Sequence, residues 1–166
     1  MKKLIIVFGL LILFGLSAQI GFGQTAPQTD QERLIKASGF LEAKPFDKDA
    51  KETRAWAIKW ASETTAVTVI VCGGTGGVLL DKKIKFGGEL LGQYLISMTA
   101  FKLQNPDKAN DENAAQLAGM ESVVRTYEAM LKENPKAKAA RMDDLLGKRN
   151  DGTLAKYVAD ADCGKK

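Results

Sequence analysis

The chain contains no histidine among its 166 residues. Histidine is the commonest general base near neutral pH and the commonest transition-metal ligand in proteins. Its absence excludes Ser-His-Asp triads, Cys-His pairs and histidine-ligated zinc. An acidic cluster at Asp107, Asp111 and Glu112 lacks the alternating oxygen ligands and central glycine of a calcium loop. We therefore expect no catalytic, cofactor-binding or metal-ligating residues.

Cysteine is nearly as scarce, since Cys72 and Cys163 are the only two. In an oxidising compartment, two thiols more often pair than serve as a nucleophile with an unrelated neighbour. Each stands beside a glycine near the end of a predicted element, where the backbone can bring two Cα atoms within bridging range. We predict an intramolecular disulfide between Cys72 and Cys163.

Runs of like charge are also missing. The 24 Lys and Arg residues and the 20 Asp and Glu residues are interspersed, and the formal charge of +4 falls to +2 without Lys2 and Lys3. Nucleic-acid-binding proteins usually carry a clustered basic face. We therefore expect no nucleic-acid partner.

The one long hydrophobic run lies at the N-terminus. Lys2 and Lys3 precede apolar and glycine residues at 4–16, and small residues follow at 21 and 23. This order is typical of a secretory signal peptide, which we predict at residues 1–23. The product is then periplasmic or extracellular, with no stable membrane span after cleavage. The alternative is an uncleaved anchor, since a span needs only ~20 mostly apolar residues.

The rest of the chain predicts one all-α domain at residues 31–166, behind a disordered leader at 24–30. Apolar residues recur at spacings of three and four, which is typical of amphipathic helices. We expect a compact bundle of about five to six helices around a central antiparallel hairpin, closed by the disulfide. The predicted helices cover residues 31–42, 47–64 with Asp47 as N-cap, 88–104, a fourth that ends at 133 and is capped by Asn110 or Asp111, 141–148 and 153–160.

Two stretches allow more than one interpretation. Residues 67–72 are rich in β-branched side chains that favour a strand, yet only residues 84–86 could pair with them, so we interpret them as buried helix. Trp56 and Trp60 lie one helical turn apart with Ala57 and Ala61, and we predict that all four form a buried stripe. The alternative for the tryptophans is a ligand platform.

The glycine-rich loop at residues 73–77 could in principle cradle a phosphate. A Walker-type loop requires Gly-Lys followed by Ser or Thr at a fixed spacing, and Val78, Leu79 and Leu80 stand there instead. We interpret the loop as a turn or as a close approach between elements.

A pair of carboxylates can cleave a glycosidic bond without histidine. Glu121-Ser122 resembles the Glu-Ser start of the lytic transglycosylase catalytic motif, although residues 123–126 do not continue that motif. Glu89 is the other carboxylate in apolar company, and a first-turn position near the helix dipole also explains it. We predict an exported, non-catalytic helical domain that acts by contact with another envelope or secreted protein. A cell-wall glycosidase or lytic transglycosylase-like enzyme is the alternative.

Overall fold

The computed structural model describes residues 28–161. Within this range the chain is all-helical, as predicted, and contains no strand. The six α-helices are α1 (Asp30–Ala43), α2 (Ala50–Glu63), α3 (Gly87–Gln104), α4 (Glu112–Glu133), α5 (Ala140–Asn150) and α6 (Leu154–Asp160). Short 3₁₀ helices at Gly76–Leu80, Pro106–Lys108 and Pro135–Ala137 connect them.

The predicted signal peptide at residues 1–23 lies outside the described residues, so cleavage and export stay predictions. The end of the predicted leader belongs to the fold, because Thr29 caps α1. The Thr29 hydroxyl accepts the Glu32 backbone N–H at 3.2 Å, and the Glu32 carboxylate accepts the Thr29 N–H at 2.9 Å. This reciprocal capping box starts the helix at Asp30. Between residues 28 and 161, no helix is long and apolar enough to cross a membrane.

Among the other helices, α4 also has a side-chain cap. Of the two predicted candidates it is Asp111, whose side chain accepts the Ala114 N–H at 2.9 Å. The predicted N-cap at Asp47 is wrong. The Asp47 carboxylate accepts the Asp49 N–H at 3.0 Å within the preceding turn, and α2 begins only at Ala50.

Helix α3 lies at the centre of the bundle and packs against α1, α2 and α4. It forms the predicted antiparallel hairpin with α4. The two backbones come close at Gly119, where an added Cβ would lie 2.7 Å from the Met98 side chain and 2.8 Å from the Tyr94 ring. Eleven of the 18 residues of α3 are buried, so this helix is covered on most sides.

Two apolar clusters fill the interior. The first joins α3 and α4 to α5, α6 and the 3₁₀ helix at Gly76–Leu80. The second lies between α1, α2 and the C-terminal half of α3. It includes Leu34, Leu41, Ala57, Ala61 and Ile96. Both clusters share α3, so its position is set from both sides.

The predicted buried stripe of α2 is right for Ala57 and Ala61 but wrong for the tryptophans. Trp56 and Trp60 are half-buried at the edge of the second cluster, with their rings stacked at 6.5 Å between centroids. The Arg33 guanidinium lies 3.8 Å from the centroid of the Trp56 ring. Small side chains therefore form the closest contact of α2, and the large rings cover its rim.

Candidate interaction surface

Exposed apolar side chains concentrate in one stretch of the chain. Among the described residues, the exposed large hydrophobic side chains are Ile70 at 43 %, Val71 at 47 % and Leu80 at 67 %. No charged residue occurs from 64 to 80, although 27 % of the whole chain is charged. Clustered apolar exposure marks interaction sites more often than scattered single residues do.

The connection that carries Ile70 and Val71 is neither helix nor strand. The interpretation of residues 67–72 as buried helix is therefore wrong, and residues 84–86 form no strand to pair with them. The Thr68 carbonyl accepts from Lys102 Nζ at 2.7 Å, and the Ile70 carbonyl accepts from Gln116 Nε2 at 2.6 Å. Carbonyls two positions apart face one side in an extended chain. We call residues 67–71 the extended segment.

A buried ion pair holds the first of these contacts. Lys102 lies in α3 with only 1 % of its side chain exposed, and its Nζ is 2.5 Å from Glu112 Oε1 in the first turn of α4. The Glu112 side chain is 17 % exposed. The same ammonium donates to the Thr68 carbonyl, so the hairpin of α3 and α4 determines where the extended segment lies.

A buried hydroxyl fixes the turn that follows the extended segment. The Thr75 hydroxyl lies 2.6 Å from the Tyr94 hydroxyl and donates to Gln116 Oε1 at 3.0 Å. An added Cβ at Gly76 would lie 2.9 Å from the Tyr94 ring. The glycine-rich loop therefore packs against α3 here, and glycine is required by this close approach.

The opposite edge of the extended segment is open. Among residues 28–161, no hydrogen-bond partner joins the backbone N–H groups of Val67, Val69 or Val71. Because the carbonyls of Thr68 and Ile70 face the helices, the polar groups of these three valines face the other way. Unpaired backbone donors in a folded protein face water or a partner. The segment therefore has the hydrogen-bonding pattern of an exposed strand edge.

Burial of Tyr94 predicts a loss of stability in alkali. Desolvation raises the pKa of Tyr94 to about 12, and burial together with the Asp143 hydrogen bond raises the pKa of Tyr127 to about 12. An unfolded tyrosine ionises near pH ~10, so from about pH 10 to 12 the native state retains protons that the unfolded state loses. The free energy of unfolding should fall across this window, on the order of 2–3 kcal/mol for Tyr94 alone.

Denaturant titrations across that pH range measure this effect. In Tyr94→Phe the alkaline loss should be smaller, because the variant has one fewer buried hydroxyl to ionise. An equal loss in both proteins would contradict the assignment to Tyr94.

Only one of the two predicted disulfide residues belongs to the described part of the chain. Cys72 is half-buried immediately after the extended segment, and Cys163 lies outside the described residues. The pairing therefore stays a prediction. Residues two positions from each cysteine approach one another, since an added Cβ at Gly74 would lie 3.0 Å from the Cβ of Ala161.

The candidate carboxylates of the enzyme alternative lie apart from the extended segment in the sequence and have basic neighbours. Glu121 Oε2 is 3.8 Å from Arg125 Nη1, and both side chains are exposed. Glu89 is half-buried in the first turn of α3. Burial lowers the pKa of Arg54, and the negative charge of Glu89 partly offsets that effect. No group of three or more potential metal ligands occurs within the described part of the chain.

A buried polar network between α1, α3 and α4 was not apparent from the sequence. Gln93 Nε2 donates to Ser97 Oγ at 3.0 Å and to Ser122 Oγ at 2.9 Å. Ser122 in turn donates to Glu42 at 2.6 Å, and Arg125 grips the Glu42 carboxylate at 2.8 and 3.0 Å. These hydrogen bonds tie α1 to the hairpin of α3 and α4.

Comparisons with protein-family models, with curated proteins and with solved structures find no match for this chain.

Proposed function

We propose that this chain is an exported, non-catalytic protein that binds another envelope or secreted protein through its extended segment. The observation that carries the proposal is the coincidence of two features. The exposed large apolar side chains of the described residues are confined to residues 70–80, and the adjoining backbone edge at Val67, Val69 and Val71 lacks partners.

Strand addition is the mode of binding that fits this surface. An extended peptide of the partner would hydrogen-bond to the open edge, while Ile70 and Leu80 would contact its side chains. Main-chain hydrogen bonds provide affinity in such complexes and alternate side chains provide specificity.

The segment is already held in its binding conformation. Lys102 and Gln116 hold the carbonyls of Thr68 and Ile70, and Thr75 is fixed to Tyr94. A partner therefore does not have to order a flexible loop, which removes one cost of association.

We also propose the disulfide between Cys72 and Cys163 as a third restraint. The approach of Gly74 to Ala161 supports it, because the turn after Cys72 lies against the end of α6, two positions before Cys163. Export into an oxidising compartment would supply the conditions that the bridge needs.

Capture of partners from the native envelope tests the proposal. The purified protein should retain a defined set of envelope proteins and should show no turnover on peptidoglycan. The double variant Ile70→Asp, Leu80→Asp should retain about tenfold less, because each aspartate replaces apolar contact area with a charge.

The matched control introduces two aspartates elsewhere. Ala55 in α2 and Ala155 in α6 are exposed, so Ala55→Asp, Ala155→Asp should capture the same set as the unmodified protein. Equal capture by both double variants would contradict the proposed surface. Cell-wall clearing that Glu121→Gln or Glu89→Gln abolishes would instead support the enzyme alternative.

A further inference from the structure

We propose that the extended segment pairs with the same segment of a second copy of this chain and forms a two-fold symmetric antiparallel dimer. This inference goes beyond the proposed function and names a second copy as another occupant of the same edge. Three features of the segment support such a dimer: its composition, its open edge and its internal symmetry.

The segment carries neither the charges nor the prolines that ordinarily prevent self-association of a strand edge. Natural edges are protected by lysine, by proline or by inward-pointing charges. Residues 64–80 contain no charge and no proline, and the segment itself consists of Val67, Thr68, Val69, Ile70 and Val71. These β-branched residues have high strand propensity. A second copy therefore meets neither like-charge repulsion nor an interrupted ladder.

The order of residues is also close to symmetric about Val69. In an antiparallel pair centred there, Val69 lies opposite its own copy, and Val67 lies opposite Val71 of the other chain. The N–H groups of these three valines, like those of Thr68 and Ile70, have no partner among residues 28–161, and only the carbonyls of Thr68 and Ile70 are bound to the helices. Each of the three valine donors then finds a carbonyl, as in a regular antiparallel ladder.

In the same register, the exposed side chain of Ile70 also gains a neighbour. Ile70 lies opposite Thr68 of the second copy, and both residues are exposed in the single chain. Facing residues of this kind approach to about 4.5–5.5 Å between Cβ atoms, so Ile70 gains an apolar neighbour in its counterpart's Thr68 methyl group. Side chains thus match as well as backbone groups.

Proline substitutions test this register. Val69→Pro removes an outward N–H in each copy, whereas Thr68→Pro removes an inward one and leaves the open edge intact. At about fivefold per hydrogen bond, loss of the two bonds should raise the dimer dissociation constant roughly 25-fold in Val69→Pro but little in Thr68→Pro. Sedimentation equilibrium measures both, and circular dichroism checks that both variants fold.

Cross-linking keeps the test decisive if a proline variant does not fold. Thr68→Cys and Ile70→Cys proteins, mixed and oxidised, should cross-link because those positions face each other across the two-fold axis. Either variant alone should cross-link far less, because identical positions then lie diagonally. Equal cross-linking in all three samples, or a dimer that withstands Val69→Pro, would overturn the inference.

The outcomes also separate this inference from the proposed function. A monomer at every concentration whose envelope capture is abolished by Ile70→Asp, Leu80→Asp would overturn the dimer and support the function. A monomer whose envelope capture is unchanged by those substitutions would overturn both the dimer and the proposed function.

Discussion

Replacing Glu112 by glutamine should lower the free energy of unfolding by about 3–5 kcal/mol. The substitution removes the counter-charge of Lys102, whose side chain is 1 % exposed, and leaves a buried ammonium with no anionic partner. An uncompensated buried charge is among the few causes of destabilisation this large from a single substitution. Denaturant unfolding measures the change.

Two controls separate the buried pair from ordinary surface charge. Glu121→Gln removes an exposed carboxylate 3.8 Å from Arg125 and should cost no more than about 1 kcal/mol. The double variant Lys102→Met, Glu112→Leu replaces both charges by apolar groups and should recover much of the loss. It should still weaken partner capture, because the Thr68 carbonyl loses its donor. Equal effects of Glu112→Gln and Glu121→Gln would contradict this description.

Removal of the proposed disulfide should have the second large effect. The bridge from Cys72 to Cys163 would close a loop of about 90 residues, for which chain entropy predicts ~4–5 kcal/mol of stabilisation. That is a large share of the ~5–15 kcal/mol typical of a domain. Cys72→Ser, Cys163→Ser should therefore unfold at markedly lower denaturant concentration than the oxidised protein.

Mass spectrometry of the unreduced exported protein gives the direct check. The bridged form should weigh two hydrogens less than the dithiol and should yield one peptide joining Cys72 and Cys163. Two alkylatable thiols, or a dimer that reducing agent dissolves, would refute the bridge. The strand-paired dimer proposed above is non-covalent and should survive reduction unless the segment itself loosens.

The helices could be predicted because their pattern is local. Apolar spacing placed α1, α3 and α4 within one residue of their observed ends, and the cap of α4 was narrowed to Asn110 or Asp111. The errors at Asp47 and at the tryptophans have tertiary causes. A turn uses the Asp47 carboxylate, and the approach of α2 leaves room only for Ala57 and Ala61.

The candidate surface could not be predicted because its partners lie far apart in the sequence. The β-branched residues at 67–71 disfavour helix, and the structure contains no helix there. The helical interpretation required the backbone to satisfy its own hydrogen bonds. Instead, the side chains of Lys102 and Gln116 donate hydrogen bonds to the carbonyls of Thr68 and Ile70. These donors lie 34 and 46 positions away in the sequence. Polar helix residues of this kind look solvent-exposed in a sequence.

Residue-resolved amide hydrogen exchange over a series of protein concentrations tests the account most directly. At low concentration the N–H groups of Val67, Val69 and Val71 should exchange rapidly, because they have no partner within residues 28–161. As the protein associates, these three amides should become protected while those of Thr68 and Ile70 change little. Protection that rises uniformly along the segment, or that appears only on the helices, would contradict a strand edge at residues 67–71.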